Sequence, residues 1–244
     1  MRNIKLTIQY DGKNYHGWQS QENAKTVQDV VENALKELTG RKPKVIGCSR
    51  TDTGVHAKRF ACNFKSETTI PAERFPLALN TKLPEDIVCI GAEEVDGNFH
   101  SRYHARKKTY TYYIQNSRFP DVFKVNYAWH FPYELNIEEM KKATEAFLGE
   151  HDFIGFAASG FTVKTTVRTI YSLDVEKIDD LVKITVTGDG FLYNMVRIIA
   201  GTLAFVGCGK LKAEDMPDII ASCDRKRAGI TAPSGGLYLT EMYY

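Results

Sequence analysis

Several things are scarce in this chain of 244 residues. The longest apolar run, Ile198 to Cys208, is far short of the roughly 20 residues a membrane span needs, and Arg197 stands at its edge. That run reads as a buried helix. The segment Met1 to Gly12 alternates polar and apolar residues and holds no apolar block of signal-peptide length, so a cytoplasmic protein without a membrane role is expected. Cysteine is sparse and odd in number: Cys48, Cys62, Cys89, Cys208 and Cys223, with no C-x-x-C pair. This argues against a disulfide framework and a zinc site, and the five read as reduced core thiols. Net charge is only +2, too little for composition to announce a polyanion binder.

Acid is missing locally. From Gly97 to Pro120 there is no Asp or Glu, while Arg102, Arg106, Lys107, Lys108 and Arg118 fall there with His100 and His104. A second acid-free stretch, Phe153 to Leu173, carries Lys164 and Arg168. Each basic residue alone reads most simply as a solvated charge. Interleaved with Tyr103, Tyr110, Phe156 and Phe161, the two stretches point towards a polyanionic partner.

What is present divides into two halves. Ile4, Leu6 and Ile8 alternate as in a half-buried strand that ends at Asp11-Gly12, before an aromatic loop, Tyr15-His16-Gly17-Trp18-Gln19. Thr26 with Asp29 resembles a capping box, and apolar residues from Val27 to Leu38 follow at helical spacing up to Gly40. Strands are expected over Lys44 to Cys48, Arg59 to Lys65 and Asp86 to Val95, with a helix from Ala72 to Asn80. The second half is expected to run through strands Thr109 to Asn116 and Val125 to Phe131, then a helix capped by Asn136 that stops at Gly149. A hairpin follows, Thr166 to Ile178 with Leu181 to Thr187, then an apolar helix from Phe191 to Val206, a short helix near Asp215 to Ala221 and a last strand, Leu237 to Met242. Both halves, 1–104 and 105–244, thus follow a β-α-β-β-α-β order, the second with one extra strand in front. An α+β fold is expected: two ferredoxin-like (RRM-like) halves sharing one mixed, mainly antiparallel sheet, helices mostly on one face and the other face open, a common place for single-stranded RNA.

Asp52 is the first candidate for chemistry. It sits in Gly-Cys-Ser-Arg-Thr-Asp-Thr-Gly-Val-His-Ala, residues 47–57, among the donors Arg50, Thr51, Thr53 and His56, a setting that holds a carboxylate ionised and aimed. An Asx-turn capped by its own side chain is the plainer alternative. Arg197 is the second: on a helix apolar nearly all round, where Asn194, Arg197 and Gly201 share a face, it needs a carboxylate partner, and Asp52 and Asp189 are the candidates. His56 reads as a structural loop histidine.

Arg50-Thr51-Asp52-x-Gly-Val-His, Gly17-Trp18-Gln19, Phe99-His100-x-Arg102, Tyr110, Gly190-Phe191-Leu192-x-x-Met195-Val196-Arg197 and the closing Gly236-Leu237-Tyr238-Leu239 together resemble the tRNA pseudouridine synthase A family over nearly the full chain. Where that family usually has Gly before Arg-Thr-Asp, this chain has Ser49. The resemblance implies a homodimeric isomerase of uridines in the tRNA anticodon stem-loop, positions 38–40, with no metal and no cofactor. It implies Asp52 as nucleophile, Tyr110 stacked on the uracil, Arg197 paired with Asp52 and Arg50 displacing the base. Arg102, Lys107, Lys108, Lys164 and Arg168 would then bind phosphates of the anticodon arm. At about 4 Å and an effective dielectric near 20, an Asp–Arg pair is worth roughly 4 kcal/mol.

Two other classes compete. Asp52-Thr53-Gly54 spells the aspartic-protease triplet, but that chemistry needs two such aspartates sharing a proton and only one copy occurs. A catalytically silent RNA-binding or chaperone module with the same fold would not need Asp52, Tyr110 and Arg197 together.

Overall fold

A computed structural model describes residues 1–160 and 163–244, so Phe161 lies outside the described residues. The chain divides into two compact units, residues 1–106 with 238–244, and residues 107–237.

In the first unit, strand β1 (Arg2–Tyr10) places Ile4, Leu6 and Ile8 in the core, each fully buried, by the alternation of a pleated strand. Helix α1 (Val27–Thr39) starts where the Thr26 side chain accepts the Asp29 N–H and ends at Gly40, whose φ of 78° is the left-handed cap. Next come β2 (Ile46–Gly47) and β3 (His56–Ser66), helix α2 (Phe75–Asn80) and β4 (Ile87–Val95). Strand β1 is flanked antiparallel by β3 and β4, and β2 pairs antiparallel with β3. This is the spatial order of a ferredoxin-like β-α-β-β-α-β unit. Phe64 of β3 meets Phe75 of α2 edge to face at 5.6 Å on the helix side.

Two elements differ from the sequence expectation. The strand over 44–48 shrinks to Ile46–Gly47 because the backbone at Val45 is taken by α1: its N–H donates to Glu32 Oε1 and its carbonyl accepts from Gln28 Nε2. The helix over 72–80 begins as a 3-10 turn, Ala72–Arg74, and turns α only at Phe75, with Pro76 in the first turn where its missing N–H costs nothing.

The face of this sheet away from α2 is not open throughout. Asn3 and Asn63, both buried, lie there beside Lys5 and bond to the turn that follows β4. Asn63 Oδ1 accepts from both the N–H and the hydroxyl of Ser101, a fully buried residue, so the basic segment near residue 100 is tied down onto the polar face.

In the second unit, β5 (Lys107–Gln115) pairs in parallel with the two-residue β6 (Trp129–His130). Helix α3 (Ile137–Thr144), capped by the Asn136 side chain, leads through a 3-10 turn to β7 (Gly149–Asp152). The hairpin β8 (Val167–Ile178) and β9 (Leu181–Gly188) follows, and β5, β9, β8 and β7 form an antiparallel run in that order. Val182, Ile184 and Val186 alternate into the core. The strand expected over 125–131 is mostly a turn, because Asn126 sits at φ 70° and the N–H groups of Tyr127 and Ala128 both close onto the Lys124 carbonyl.

Helix α4 (Met195–Gly207) starts four residues later than its apolar pattern, since Asn194 takes φ 60° and sets the first turn. Helix α5 (Met216–Ala221) completes the unit. The last strand, β10 (Leu237–Tyr243), which the sequence places at the end of the second half, groups with the first unit from Tyr238 on: Tyr238 and Leu239 pair in parallel with His56 and Ala57 of β3. The α+β class and the mixed, mainly antiparallel pairing hold.

Cys48, Cys62 and Cys89 are buried, and burial pushes the Cys89 thiol up to about 11 and Cys62 well above its ordinary value. Cys223 is exposed, so it is not the core thiol expected: it follows the short α5 in a left-handed turn, at φ 54°. Among the described residues, no helix is long and apolar enough to cross a membrane.

Candidate active site

Asp52 opens a four-residue turn. Its carbonyl accepts the Val55 N–H at 3.1 Å, and Gly54 supplies the φ of 78° that a side chain resists. The backbone on both sides is gripped by the 10–18 loop. The Thr51 carbonyl accepts the Trp18 N–H (3.1 Å), the Gly54 N–H reaches the Tyr15 carbonyl (3.2 Å), and the Thr51 hydroxyl pairs with Tyr10 Oη at 2.8 Å in a buried contact. The two loops touch where only glycine fits. A Cβ on Gly17, at φ 83°, would sit 2.3 Å from the Thr51 oxygen, and one on Gly12 would sit 2.0 Å from the Val55 oxygen. Trp18 fills the space left by Gly47 and stacks on Phe60 at 4.1 Å.

Not every donor around Asp52 serves the carboxylate. The Thr51 hydroxyl is engaged by Tyr10, a use that makes Thr51 part of the mould. His56, 2 % exposed, accepts the Gly12 N–H on Nδ1 at 3.0 Å and stacks on Tyr238 at 4.6 Å. The same nitrogen lies 3.1 Å from Asp11 Oδ1. Through these contacts the ring holds the base of β3 against the loop that follows β1. Asp52 itself is half-buried and Arg50 is exposed.

In the second unit, Tyr110 is 6 % exposed on β5, opposite Val186, and meets Phe191 edge to face at 5.2 Å. Tyr112, two residues on and on the same face, donates to the Pro233 carbonyl at 2.7 Å. Burial pushes its phenol far above the ordinary value, and the positive charge of Arg197 pulls the other way. Arg197 is half-buried, with Nε donating to the Ala232 carbonyl and Nη1 to Asn194 Oδ1, both at 2.7 Å. The Ala232 N–H returns a bond to the Arg197 carbonyl. Gly201 lets this segment lie directly on α4, for a Cβ there would be 1.9 Å from the Ile230 oxygen. Asp189, the competing partner for Arg197, turns instead to β8: Oδ1 accepts the Thr169 N–H and the Asp189 N–H reaches the Thr169 carbonyl.

The basic candidates differ in exposure. Arg102, Lys107 and Lys164 are exposed, and Lys108 and Arg168 half-buried. Lys107 holds its ammonium 5.2 Å over the Tyr171 ring. Arg168, at the start of β8, donates through Nη1 to the carbonyls of Thr165 and Val167 just before it. Tyr10, Gly12 and Asn63 escape sequence reasoning. A glycine after the aspartate of an Asp-Gly pair reads simply as a turn, and nothing in a strand pattern reports a buried amide on its polar face.

The family described as "tRNA pseudouridine synthase" matches residues 6–104 and 143–244. Full-length relatives include "tRNA pseudouridine synthase A" of Acetivibrio thermocellus, 54% identical over 244 residues, and of Thermoanaerobacter pseudethanolicus, 53% identical over 244 residues, each alignment covering 100% of both chains. "tRNA pseudouridine synthase A 2" of Clostridium perfringens is 50% identical over the same span, again with 100% of both chains covered. The Asp52 turn, Tyr110 on its strand and Arg197 on its helix therefore sit in a chain that belongs to the tRNA pseudouridine synthase family.

Proposed function

We propose that this protein isomerises uridine to pseudouridine in the tRNA anticodon stem-loop, positions 38–40, with Asp52 as nucleophile. The observation that carries this reading is the Asp52 turn, a carboxylate whose backbone is fixed on both sides while its side chain stays partly exposed. The reaction breaks the bond from uracil N1 to C1′, turns the base, joins C5 to C1′ and moves the C5 proton to N1. No electrons are gained or lost overall, so one ionised carboxylate suffices as covalent catalyst.

In this account Arg197 is the cation of Asp52, Tyr110 stacks on the uracil and takes up the C5 proton, and Arg50 occupies the space of the displaced base. A stacked uracil is out of reach inside a helix, so it is flipped out at a cost of a few kcal/mol. Contacts from Arg102, Lys107, Lys108, Lys164 and Arg168 to phosphates offset that cost. The same reading makes the protein a cytoplasmic homodimer. Carbodiimide mapping of tRNA from cells with and without the gene tests it: pseudouridine at positions 38–40 is expected to vanish in the deletion strain, and its persistence would overturn the assignment.

A further inference from the structure

Tyr103 is 76 % exposed, unusual for a large aromatic on a segment otherwise held so firmly. The turn that carries it is anchored from below. Asn63 Nδ2 donates to Asn3 Oδ1 (2.9 Å) and to the Phe99 carbonyl (3.3 Å), and Asn3 Nδ2 donates to the carbonyls of Asp96 (2.9 Å) and Phe99 (3.0 Å). Tyr244 Oη donates to the Ser101 carbonyl at 2.9 Å, and the Arg106 N–H reaches the Tyr243 carbonyl at 2.8 Å. The Phe99 ring is wedged between Tyr244 (5.1 Å) and His104 (5.6 Å). A buried network of this kind, with every polar group engaged, holds one geometry.

Above the anchor the turn presents a prepared surface. His100 Nδ1 accepts the N–H groups of Arg102 (3.2 Å) and Tyr103 (3.3 Å), which fixes the imidazole. Tyr103 stacks on that imidazole at 4.2 Å and 26°, so one ring face is covered and the other looks outward. Its exposed neighbours, Arg102 and His104, are polar, and no carboxylate occurs between Gly97 and Pro120 while Arg106, Lys107 and Lys108 follow within five residues. An apolar docking patch for a protein would surround the ring with apolar groups. An aromatic face already oriented, on a stretch of chain that is rich in cations and free of acid from Gly97 to Pro120, is the arrangement that takes a nucleobase and its phosphate.

We propose that Tyr103 is a base-stacking contact, taking an unpaired nucleobase of the RNA substrate on the ring face turned away from His100. Stacking of this kind tolerates any base, so the contact selects an unstacked nucleotide over a paired one and leaves sequence choice to other residues. The inference rests on the proposed RNA substrate and adds to it a residue outside the uridine-reacting set.

The test measures binding of an anticodon stem-loop RNA by fluorescence anisotropy across a salt series, in an Asp52→Asn background so that no turnover intervenes. Tyr103→Ala is expected to weaken binding about 5- to 100-fold with the slope of log affinity against log salt unchanged, since no phosphate contact is lost. Tyr103→Phe and Tyr103→Trp are expected to stay within about threefold of Tyr103, because a π-face suffices. Arg102→Ala is expected to weaken binding and to lower the slope as well, since a phosphate contact is lost. Affinity of Tyr103→Ala within twofold of its parent overturns the inference. So does a loss that Phe fails to rescue, or one that tracks a change of oligomeric state in sedimentation, which would make the ring a contact between copies. No binding by the parent at all would overturn the RNA reading together with this one, whereas a parent that binds with Tyr103→Ala unaffected removes this inference alone.

Discussion

Asp52 and Arg197 are held by different parts of the polypeptide. Around Asp52 the grip is backbone on backbone: Trp18 to Thr51, Gly54 to Tyr15, and Gly12 and Gly17 in such close approach that a methyl group would collide with a carbonyl oxygen. Around Arg197 the grip is on the side chain itself, through the Ala232 carbonyl and Asn194 Oδ1, on a helix seated by burial. A loop residue has no helix to fix its φ and ψ, so its position must be set by contacts along the main chain. A helical residue inherits its backbone and needs only its head group oriented. The first arrangement is intolerant of added volume, and the second of lost polar partners.

The largest effect is expected where the backbone grip is broken. Gly17→Ala places a methyl in the 2.3 Å gap to the Thr51 oxygen at a φ of 83°. A destabilisation of about 3 kcal/mol or more is expected, with pseudouridine formation down at least about 100-fold, read by thermal melts and single-turnover assays. A fully active, equally stable variant would show the two loops to be loosely apposed.

Arg197→Met comes next. If Arg197 is the cation of Asp52, kcat falls by about 100-fold with a smaller change in RNA affinity. Arg197→Lys is expected to be milder because a charge remains. Asp189→Asn is the control: its carboxylate bonds the Thr169 amide, so it should lower the melting temperature and spare kcat. Matching kinetics for Arg197→Met and Asp189→Asn would reduce Arg197 to a structural group.

Tyr10→Phe sharpens the comparison at smaller scale, since it removes the buried bond to the Thr51 hydroxyl without adding volume. A loss of about 1 kcal/mol in stability and a few-fold in kcat is expected. Asp180→Asn should matter least. Lys124 bonds Asp180 at 2.7 Å and holds its carboxyl below the ordinary value of 3.8. A depressed folded value means stability that is present above the unfolded value and lost as pH falls through the folded one. Removing a surface pair lowers the melting temperature at pH 7 by a few degrees at most. The difference from wild type should close in acid, as melts across pH 2 to 7 would show.

Much of this frame is legible in the sequence, for local reasons. Thr26 and Gly40 mark the ends of α1, and the β8–β9 hairpin announces itself by alternation around Asp179-Asp180. Asp52, Tyr110 and Arg197 stand out by motif. The failures have one physical character: they depend on what lies across space. Val45 reads as strand but gives its backbone to Gln28 and Glu32. Residues 125–128 have strand-like composition but fold back onto Lys124, and Leu237 to Met242 reads as a strand without revealing that it pairs in parallel with β3. At the site, Thr51 and His56 look like donors to a carboxylate, yet the Thr51 hydroxyl and His56 Nδ1 hold Tyr10 and Gly12. Periodicity reports which face a residue takes, not which partner waits there.

The central claim is that the moulded loop exists to present one carboxylate as a nucleophile. Asp52→Asn tests it most directly, because the amide keeps shape while removing charge and nucleophilicity. Pseudouridine formation on anticodon stem-loop RNA should be abolished, with the melting temperature and RNA affinity of the variant close to wild type. Turnover by Asp52→Asn within tenfold of wild type would contradict the account.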